Sequence, residues 1–375
     1  MKALAYTIVI ATRNRPAALR LSIPRMLGQT RPPAQLIVVD SSDDHQATLS
    51  AVVESVDRFS VDLQVIKCER GLTLQRNASL PLIKNPVVFF PDDDSIWFPG
   101  VATAQLEVYE RDEAGRIAAV CAAETAGPPP DWEHGVASSY QMNWRHRFQQ
   151  KIAGIRHRIE SRLFPDPASI VGKGFWPKAS ELPPWFAKED LVLVDWMTGF
   201  RMSFRTEVIR QVRFDQKLTH YSLFEDIDAS FGAWKLGWVV GARKAKVYHY
   251  RSPEKRDQGR RLGAQQLLNK AYIVYKYSSP GDFARARLES FARYKVFHYW
   301  LGAVGAFGRE RYKGARAALE AIRKLTRASE NERPDRFLDA FEETVPDATT
   351  KSPIQGEGLP ASDLLKPWDI SQRII

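Results

Sequence analysis

The sequence VVFFPDDDSIWFPG, residues Val87–Gly100, joins an apolar run to three consecutive aspartates. The run is typical of a strand buried in a parallel sheet, and its abrupt end predicts that Asp92, Asp93 and Asp94 lie at the carboxyl edge of that sheet. Three adjacent carboxylates repel one another unless a cation or a solvated turn relieves them. Because side chains alternate along an extended backbone, we expect Asp92 and Asp94 to face one way and Asp93 the other.

A divalent cation is one interpretation of this triplet. Mg²⁺ and Mn²⁺ prefer oxygen ligands, and Mg²⁺ is usually held by one or two carboxylates together with substrate phosphates. The alternative is an acidic turn after an edge strand, which needs no ion. The neighbouring strand ends must decide between them.

Short β-rich runs alternate with helical periodicity over the first hundred residues. The predicted strands are Tyr6–Ala11, Leu36–Asp40, Asp62–Lys67 and Pro86–Pro91, and the predicted helices are Arg15–Gln29, His45–Phe59 and Gly71–Ile83. This order indicates an α/β fold with a doubly wound sheet, in which ligands bind beyond the carboxyl ends of the strands.

Polar residues follow several of these strands. Thr12 and Arg13 come after the first strand, Asp40 ends the second, and Arg76 lies on the helix before the Asp92–Asp94 strand. Their convergence predicts a crevice for a nucleotide, in which Asp40 accepts from a base or ribose hydroxyl and Arg76 meets the base or a phosphate. The alternatives are a helix cap for Asp40 and a surface charge for Arg76.

A second acidic cluster begins at Glu225. Ile227, Phe231 and Trp234 have the spacing of one buried helical face, which places Glu225 and Asp226 at the start of that helix. The helix dipole favours ionised carboxylates there, and a positioned carboxylate can take a proton from a hydroxyl. N-terminal helix capping explains the same residues equally well. Three nearby cations are candidates for phosphate or acceptor contacts, or are surface charges: Arg201, Arg205 and Lys217.

Over roughly residues 5–255, the chain resembles the family 2 glycosyltransferases, inverting enzymes with the GT-A fold that use nucleotide-diphosphate sugars. Eight motifs carry this resemblance in sequence order: IATRNRP, VVD, GLTLQRN, FFPDDDSIWFPG, TGFRMSFRTEVI, RFDQKL, FEDIDASF and VYHYRSP. The chain departs from the family at residues 41–44, which read SSDD where an NGSTD-like run is common.

The resemblance implies the roles of individual residues. Asp226 matches the catalytic base. Asp94 matches the aspartate that meets the metal and diphosphate, and His249 matches a histidine near the same groups, so both are assigned to Mn²⁺ or Mg²⁺. A lone histidine between tyrosines is otherwise a core or cap residue. The remaining positions are assigned to the nucleotide sugar: Thr12, Arg13, Asp40, Arg76, Asp92 and Asp93.

The expected organisation is a Rossmann-like GT-A domain over residues 1–255, a basic helical extension over 256–329 and a polar, frayed tail over 330–375. A Pro- and Trp-rich insert at residues 125–190, with a basic helical stretch at 140–163, has no general counterpart in the family and is typical of a lid or binding loop. Further helices are predicted at 205–211, 226–236, 263–277 and 284–325.

Composition indicates the cellular compartment in which we expect the protein. The 375 residues include two cysteines, Cys68 and Cys121, so we expect a reducing compartment and neither a disulfide framework nor a zinc site. The apolar N-terminal run lacks a cleavage site, and no window approaches the about 20 apolar residues of a membrane span. We therefore expect a cytoplasmic protein, soluble or peripheral on the inner face of the membrane.

Positive charge is concentrated in one segment. Arg243–Arg327 contains 21 Lys and Arg residues against 6 Asp and Glu residues, a net charge of +15, whereas the remainder carries −5. Such a segment suggests an anionic partner, or it forms a solvated helical face. Within it, Phe297–Phe307 (FHYWLGAVGAF) is either an aromatic segment that lies in an anionic membrane interface or a buried helix.

The expected function is therefore inverting transfer of a sugar from a nucleotide-diphosphate sugar to a hydroxyl of a glycan or lipid-linked acceptor, in cell-surface polysaccharide synthesis. One alternative is a nucleic-acid-binding protein, which a pI near 9.5 and the basic aromatic stretch Tyr294–Tyr312 would suit. The acidic sheet edge disfavours nucleic acid, because it repels phosphate unless a metal intervenes. A second alternative keeps the fold as a sugar-nucleotide-binding protein without turnover.

Overall fold

The computed structural model describes residues 3–133, 162–218, 222–250, 259–303, 305–327 and 333–344. The chain forms two compact units. The described part of the first comprises residues 3–133, 176–218 and 222–250, and that of the second comprises 162–175 and the described residues from 259 to 344.

The first unit is built on a nine-stranded mixed sheet. Its strands are β1 (Tyr6–Thr12), β2 (Gln35–Asp40), β3 (Asp62–Lys67), β4 (Val87–Phe90), β5 (Ser95–Trp97), β6 (Ile117–Glu124), β7 (Leu191–Leu193), β8 (Met202–Arg205) and β9 (Trp238–His249). They lie in the order β3-β2-β1-β4-β8-β6-β9-β5, and β7 also pairs with β9.

Twelve α-helices lie in the described part of the chain. They are α1 (Pro16–Leu27), α2 (His45–Val56), α3 (Leu72–Ser79), α4 (Val101–Arg111), α5 (Pro167–Gly174), α6 (Pro184–Lys188), α7 (Thr206–Val212), α8 (Glu225–Trp234), α9 (Gly259–Tyr277), α10 (Phe283–Leu301), α11 (Gly305–Arg327) and α12 (Arg336–Thr344). The second unit contains α5 and α9–α12, and the other helices belong to the first unit.

The parallel part of the sheet agrees with the sequence prediction. β1 pairs in parallel with β2 and β4, and β2 pairs in parallel with β3. Ile8, Val38 and Phe89 on these strands are buried, as expected for β-branched and aromatic runs covered on both faces. Gly100 ends the quoted stretch with φ of 82° and directly precedes α4, and this left-handed conformation favours glycine.

The antiparallel part of the sheet brings a second segment to the aspartates. β8 runs antiparallel to β4, with Phe90 opposite Met202 and Val87 opposite Arg205. The end of β4 therefore lies beside the start of β8 and beside the 3₁₀ turn Gly199–Arg201 that precedes it. The antiparallel pairing of β5 with β9 places Ser95 opposite His249, which brings His249 to the same edge.

The Pro- and Trp-rich segment is partly regular. It contains α5, α6 and a 3₁₀ turn at Ala179–Glu181, and β7 begins directly after it. Most of the basic helical stretch predicted at residues 140–163 lies outside the described residues.

In the second unit, α9 and α11 pack closely. A Cβ atom at Gly263 would overlap the carbonyl oxygen of Arg311, and one at Gly314 would overlap that of Arg260, so glycine permits this approach. The segment expected to be polar and frayed contains α12, because Phe337 and Phe341, four residues apart, give it a buried apolar face. Among the described helices, none combines the length and apolar character needed to cross a membrane.

Candidate active site

The three aspartates form a tight turn at the carboxyl edge of the sheet. Asp92 forms an isolated parallel bridge with Ala11, which continues the pairing of β1 with β4. The Ser95 N–H donates to the Asp92 carbonyl at 3.1 Å, and the Asp92 N–H donates to Ser95 Oγ at 3.1 Å. Ser95 Oγ also donates to the Phe200 carbonyl at 2.9 Å, which ties this turn to the segment before β8.

Asp93 points toward the first strand and helix. Its carboxylate accepts from Thr12 Oγ1 at 2.8 Å and from Arg15 at 2.5 Å, and its carbonyl accepts from Ser22 Oγ at 2.7 Å. Burial raises the pKa of Asp93 to about 7, against the opposing charge of Arg15. Asp93 and Thr12 therefore bind each other, and Asp93 also binds Arg15. Their assignment to the nucleotide sugar stays a prediction.

Asp92, Asp94 and His249 offer three metal-ligand atoms that lie within 4.8 Å of one another. Nε2 of His249 is 3.3 Å from Oδ1 of Asp94, and the Phe200 ring stacks on the imidazole with centroids 4.5 Å apart. Two carboxylates and an imidazole fit a divalent cation such as Mn²⁺. Asp92 thus joins the predicted ligands Asp94 and His249, whereas the sequence assigned it to the nucleotide sugar.

The Asp94 carboxylate is held in its charged form. Burial disfavours that form, but His249 and Arg15 outweigh burial and hold the pKa of Asp94 below its usual range. The Arg15 guanidinium donates to Asp94 Oδ2 at 2.6 Å while it also binds Asp93. Sequence reasoning missed Arg15, although it lies in the same RNRP stretch as Arg13.

Arg76 is 2% exposed and joins the aspartate turn to the start of α8. Its guanidinium donates to Glu225 Oε1 at 2.8 Å, to Asp92 Oδ1 at 3.2 Å and to the Gly199 carbonyl at 3.3 Å. The surface-charge alternative for Arg76 is therefore wrong, because the side chain is buried and has partners both in the aspartate turn and at the start of α8. Its contact with a base or phosphate stays a prediction.

Asp226 lies at the start of α8, as the spacing of the buried face predicted. The backbone N–H groups of Gly199 and Ile227 donate to its two carboxylate oxygens at 2.9 and 2.8 Å. Burial raises the pKa of Asp226, and burial together with the neighbouring Asp226 raises the pKa of Glu225 to about 8. This pair of carboxyls therefore binds a proton more readily than an exposed carboxylate does.

The predicted nucleotide contacts on β1 and β2 have protein partners of their own. Asp40 is fully buried, where it accepts from the Ser42 N–H at 2.9 Å and lies 2.6 Å from His45 Nδ1. The helix-cap alternative for Asp40 is wrong, because Asp44 caps α2. Arg13 is partly exposed and lies 3.3 Å from Asp43. His45 was not anticipated from the sequence.

Arg205 does not belong to this site. Its position opposite Val87 places it at the far end of β4, where it pairs with Asp112 at 3.0 Å. The expectation of a phosphate or acceptor contact is therefore wrong for Arg205, because β8 runs antiparallel to β4. Arg201 donates to the Ala122 carbonyl and to Thr198 Oγ1.

Replacing Arg76 with Met should lower the free energy of unfolding by about 1–3 kcal/mol, because it leaves the buried carboxyl of Glu225 without its hydrogen-bond donor. Urea denaturation measures this loss. The double variant Arg76→Met/Glu225→Gln should recover part of it. Arg20→Met is the matched control, since the Arg20–Glu54 pair is exposed and its loss should change stability far less. Equal losses in the two single variants would contradict the structural role of Arg76.

Residues 7–164 match the model of the family described as Glycosyl transferase family 2. No curated protein sequence matches the chain. The mannosyltransferase PcManGT from Pyrobaculum calidifontis, solved with GDP-Man and Mn²⁺, is 14% identical with a TM-score of 0.51, over 92% of this chain and 87% of that chain.

Two further solved structures show weaker similarity. S. aureus TarS 1-349 is 13% identical with a TM-score of 0.48, over 91% of each chain. GalNAc-T7, solved with UDP, GalNAc and Mn²⁺, is 14% identical with a TM-score of 0.47, over 81% of this chain and 57% of that chain. Residues 7–164 thus match the Glycosyl transferase family 2 model, and the chain shares its GT-A fold with PcManGT.

Proposed function

We propose that the protein transfers a sugar, with inversion, from a nucleotide-diphosphate sugar to a hydroxyl of a glycan or lipid-linked acceptor in cell-surface polysaccharide synthesis. One observation carries this proposal. A cluster able to hold a metal lies at the same sheet edge as Asp226, whose pKa is raised, and the guanidinium of Arg76 links Asp92 of the cluster to Glu225, which precedes Asp226. The similarity to PcManGT, which was solved with GDP-Man and Mn²⁺, supports a nucleotide-sugar donor.

Asp92, Asp94 and His249 would hold Mn²⁺ or Mg²⁺ against the donor diphosphate. The ion supplies Lewis-acid stabilisation of the departing nucleoside diphosphate. Asp94 suits this role because His249 and Arg15 keep it ionised. The nucleoside would lie toward the ends of β1 and β2, near Thr12, Arg13 and Asp40.

Asp226 would remove the proton from the acceptor hydroxyl. The acceptor oxygen then bonds to the anomeric carbon as the bond from that carbon to the diphosphate oxygen breaks, which inverts the configuration. A raised pKa favours this role, because a stronger base takes the proton more completely. The N–H groups of Gly199 and Ile227 hold the carboxylate in a fixed orientation. Arg76 and Glu225 act as positioning residues beside it.

A thermal-shift panel of UDP-, GDP-, dTDP- and CMP-sugars, each with Mn²⁺ and with EDTA, tests the donor. A ligand present at 100 times its Kd stabilises the folded state by about 2.7 kcal/mol, which raises Tm by several degrees. We expect one diphosphate sugar to raise Tm in Mn²⁺ and to lose most of this shift in EDTA. CMP-sugars serve as the control, because they carry no diphosphate.

If no diphosphate sugar raised Tm in Mn²⁺, the proposed donor would be contradicted. A shift without detectable sugar transfer or donor hydrolysis would instead favour the alternative of a binding protein without turnover. The nucleic-acid alternative predicts binding of an oligonucleotide to the basic segment and no response to sugar nucleotides.

A further inference from the structure

The second unit presents a cluster of exposed apolar side chains where α10 ends and α11 begins. Phe297, Trp300 and Leu301 in the last turns of α10 are 55%, 56% and 53% exposed, and Phe307 in the first turn of α11 is 49% exposed. The rings of Phe297 and Trp300 stack with centroids 5.9 Å apart. We call these four residues the aromatic patch.

The two helix ends that carry the aromatic patch are in contact. The Gly302 N–H donates to the His298 carbonyl at 3.2 Å, which ends α10. A Cβ atom at Gly308 would fall 2.7 Å from the Gly302 carbonyl oxygen, so the first turn of α11 packs directly on this turn. Phe307 therefore lies at the same end of the unit as Phe297 and Trp300.

The core of the unit does not use the aromatic patch. α10 buries Ala284, Leu288, Phe291 and Ala292, and α11 buries Gly314, Ala315, Ala318, Leu319 and Ile322. Singly exposed apolar residues are common on protein surfaces, but a contiguous group of large ones marks an interaction site. The buried-helix interpretation of Phe297–Phe307 is therefore wrong for Phe297, Trp300, Leu301 and Phe307.

The surroundings of the patch are strongly basic. Residues 259–327 contain 15 Lys and Arg residues against 4 Asp and Glu residues. Five of these cations flank the patch along the chain: Arg293, Lys295, Arg309, Arg311 and Lys313. Tryptophan is enriched at membrane–water interfaces, and Trp, Phe and Leu form the apolar face of helices that lie in the interface. Clustered cations bind anionic lipids.

We propose that the aromatic patch inserts into the interface of an anionic membrane while the flanking cations contact lipid phosphates. A second copy of the chain fits the surface less well, because a two-fold contact through the patch would bring the two basic surrounds together. This docking goes beyond sugar transfer and does not depend on it. It would hold the enzyme where lipid-linked acceptors are found.

Flotation of the full chain with lipid vesicles tests the proposal. We expect flotation with vesicles of phosphatidylcholine mixed with phosphatidylglycerol, little with phosphatidylcholine alone, and weaker binding at high salt, because salt screens the contribution of the cations. Failure to bind the anionic vesicles would overturn the proposal, as would equal binding to both vesicles at every salt concentration.

Variants distinguish the contribution of the aromatic patch to membrane binding from that of the basic residues. The double variant Phe297→Ser/Trp300→Ser should partition roughly ten-fold or more weakly onto anionic vesicles, because it removes apolar area that enters the interface. Phe283→Ser is the matched control: Phe283 is 54% exposed at the other end of α10, and its loss should change partitioning less than about two-fold.

Circular dichroism and the sugar-nucleotide thermal shift check that each variant remains folded. Wild-type binding by the double variant would overturn the role of the patch. Sedimentation velocity tests whether a second copy of the chain covers the patch. If the wild-type protein is a dimer and the double variant is a monomer, the patch is a dimer contact, and membrane docking is overturned.

Discussion

Replacing Asp226 with Asn should reduce the rate of sugar transfer roughly 10²–10⁴-fold while donor binding persists, since this is the usual contribution of a positioned general base. Asparagine keeps the size of the side chain and cannot accept the proton. Single-turnover kinetics measures the transfer step, and calorimetry with Mn²⁺ measures donor affinity.

The hydrogen bonds of Asp226 sharpen this expectation. Its two oxygens each accept one backbone N–H, from Gly199 and Ile227. Asparagine has one acceptor oxygen, so one of these N–H groups loses its partner, at a cost of about 1–3 kcal/mol in stability. A modest fall in Tm is therefore expected, and it must be separated from the kinetic effect by comparing enzyme that is fully folded at the assay temperature.

Glu225→Gln is the matched control for Asp226→Asn. Glu225 precedes Asp226 on the same helix and binds Arg76, and glutamine still offers an oxygen to that guanidinium. We expect a far smaller kinetic loss in Glu225→Gln. If the two variants exchanged their effects, the base would be Glu225, and near wild-type transfer in both would contradict the mechanism.

The sequence predicted the parallel part of the fold because its signals are local. β1, β2 and β4 are apolar runs buried within the sheet, and such runs can be recognised from composition alone. β5, β7 and β8 have three or four residues each and carry no comparable pattern. The pairing of β8 with β4 depends on contacts between segments more than a hundred residues apart, which local propensity does not encode.

The same distinction explains which parts of the site were predicted. The aspartates at the end of β4 and the helix start at Glu225 follow from rules that act within a few residues. The partner of an arginine is set by packing across the fold: Arg15 reaches Asp93 across 78 positions, and Arg76 reaches Glu225 across 149. These links make the predicted carboxylates one connected site, and sequence spacing did not reveal them.

Replacing Asp94 with Ala should abolish the metal dependence of nucleoside diphosphate binding. Wild-type protein should bind the matching diphosphate tightly with Mn²⁺ or Mg²⁺ and weakly in EDTA. The variant should bind in Mn²⁺ no better than wild type does in EDTA, a loss of about 100-fold or more, since changes to the partners of metal ligands already cost about 10–100-fold. Isothermal calorimetry in the two conditions measures both affinities.

Asp93→Asn provides the control from the same turn. Asp93 binds Thr12 and Arg15 and does not belong to the cluster of Asp92, Asp94 and His249, so its loss should lower stability and leave the response to Mn²⁺ in place. Above about pH 7, where Asp93 is ionised, both variants remove one carboxylate charge from the turn, so any general electrostatic effect should be common to both. If Asp93→Asn lost the metal dependence and Asp94→Ala kept it, Asp93 and not Asp94 would be the metal ligand. If wild-type protein bound the diphosphate equally well in Mn²⁺ and in EDTA, binding would not require the ion.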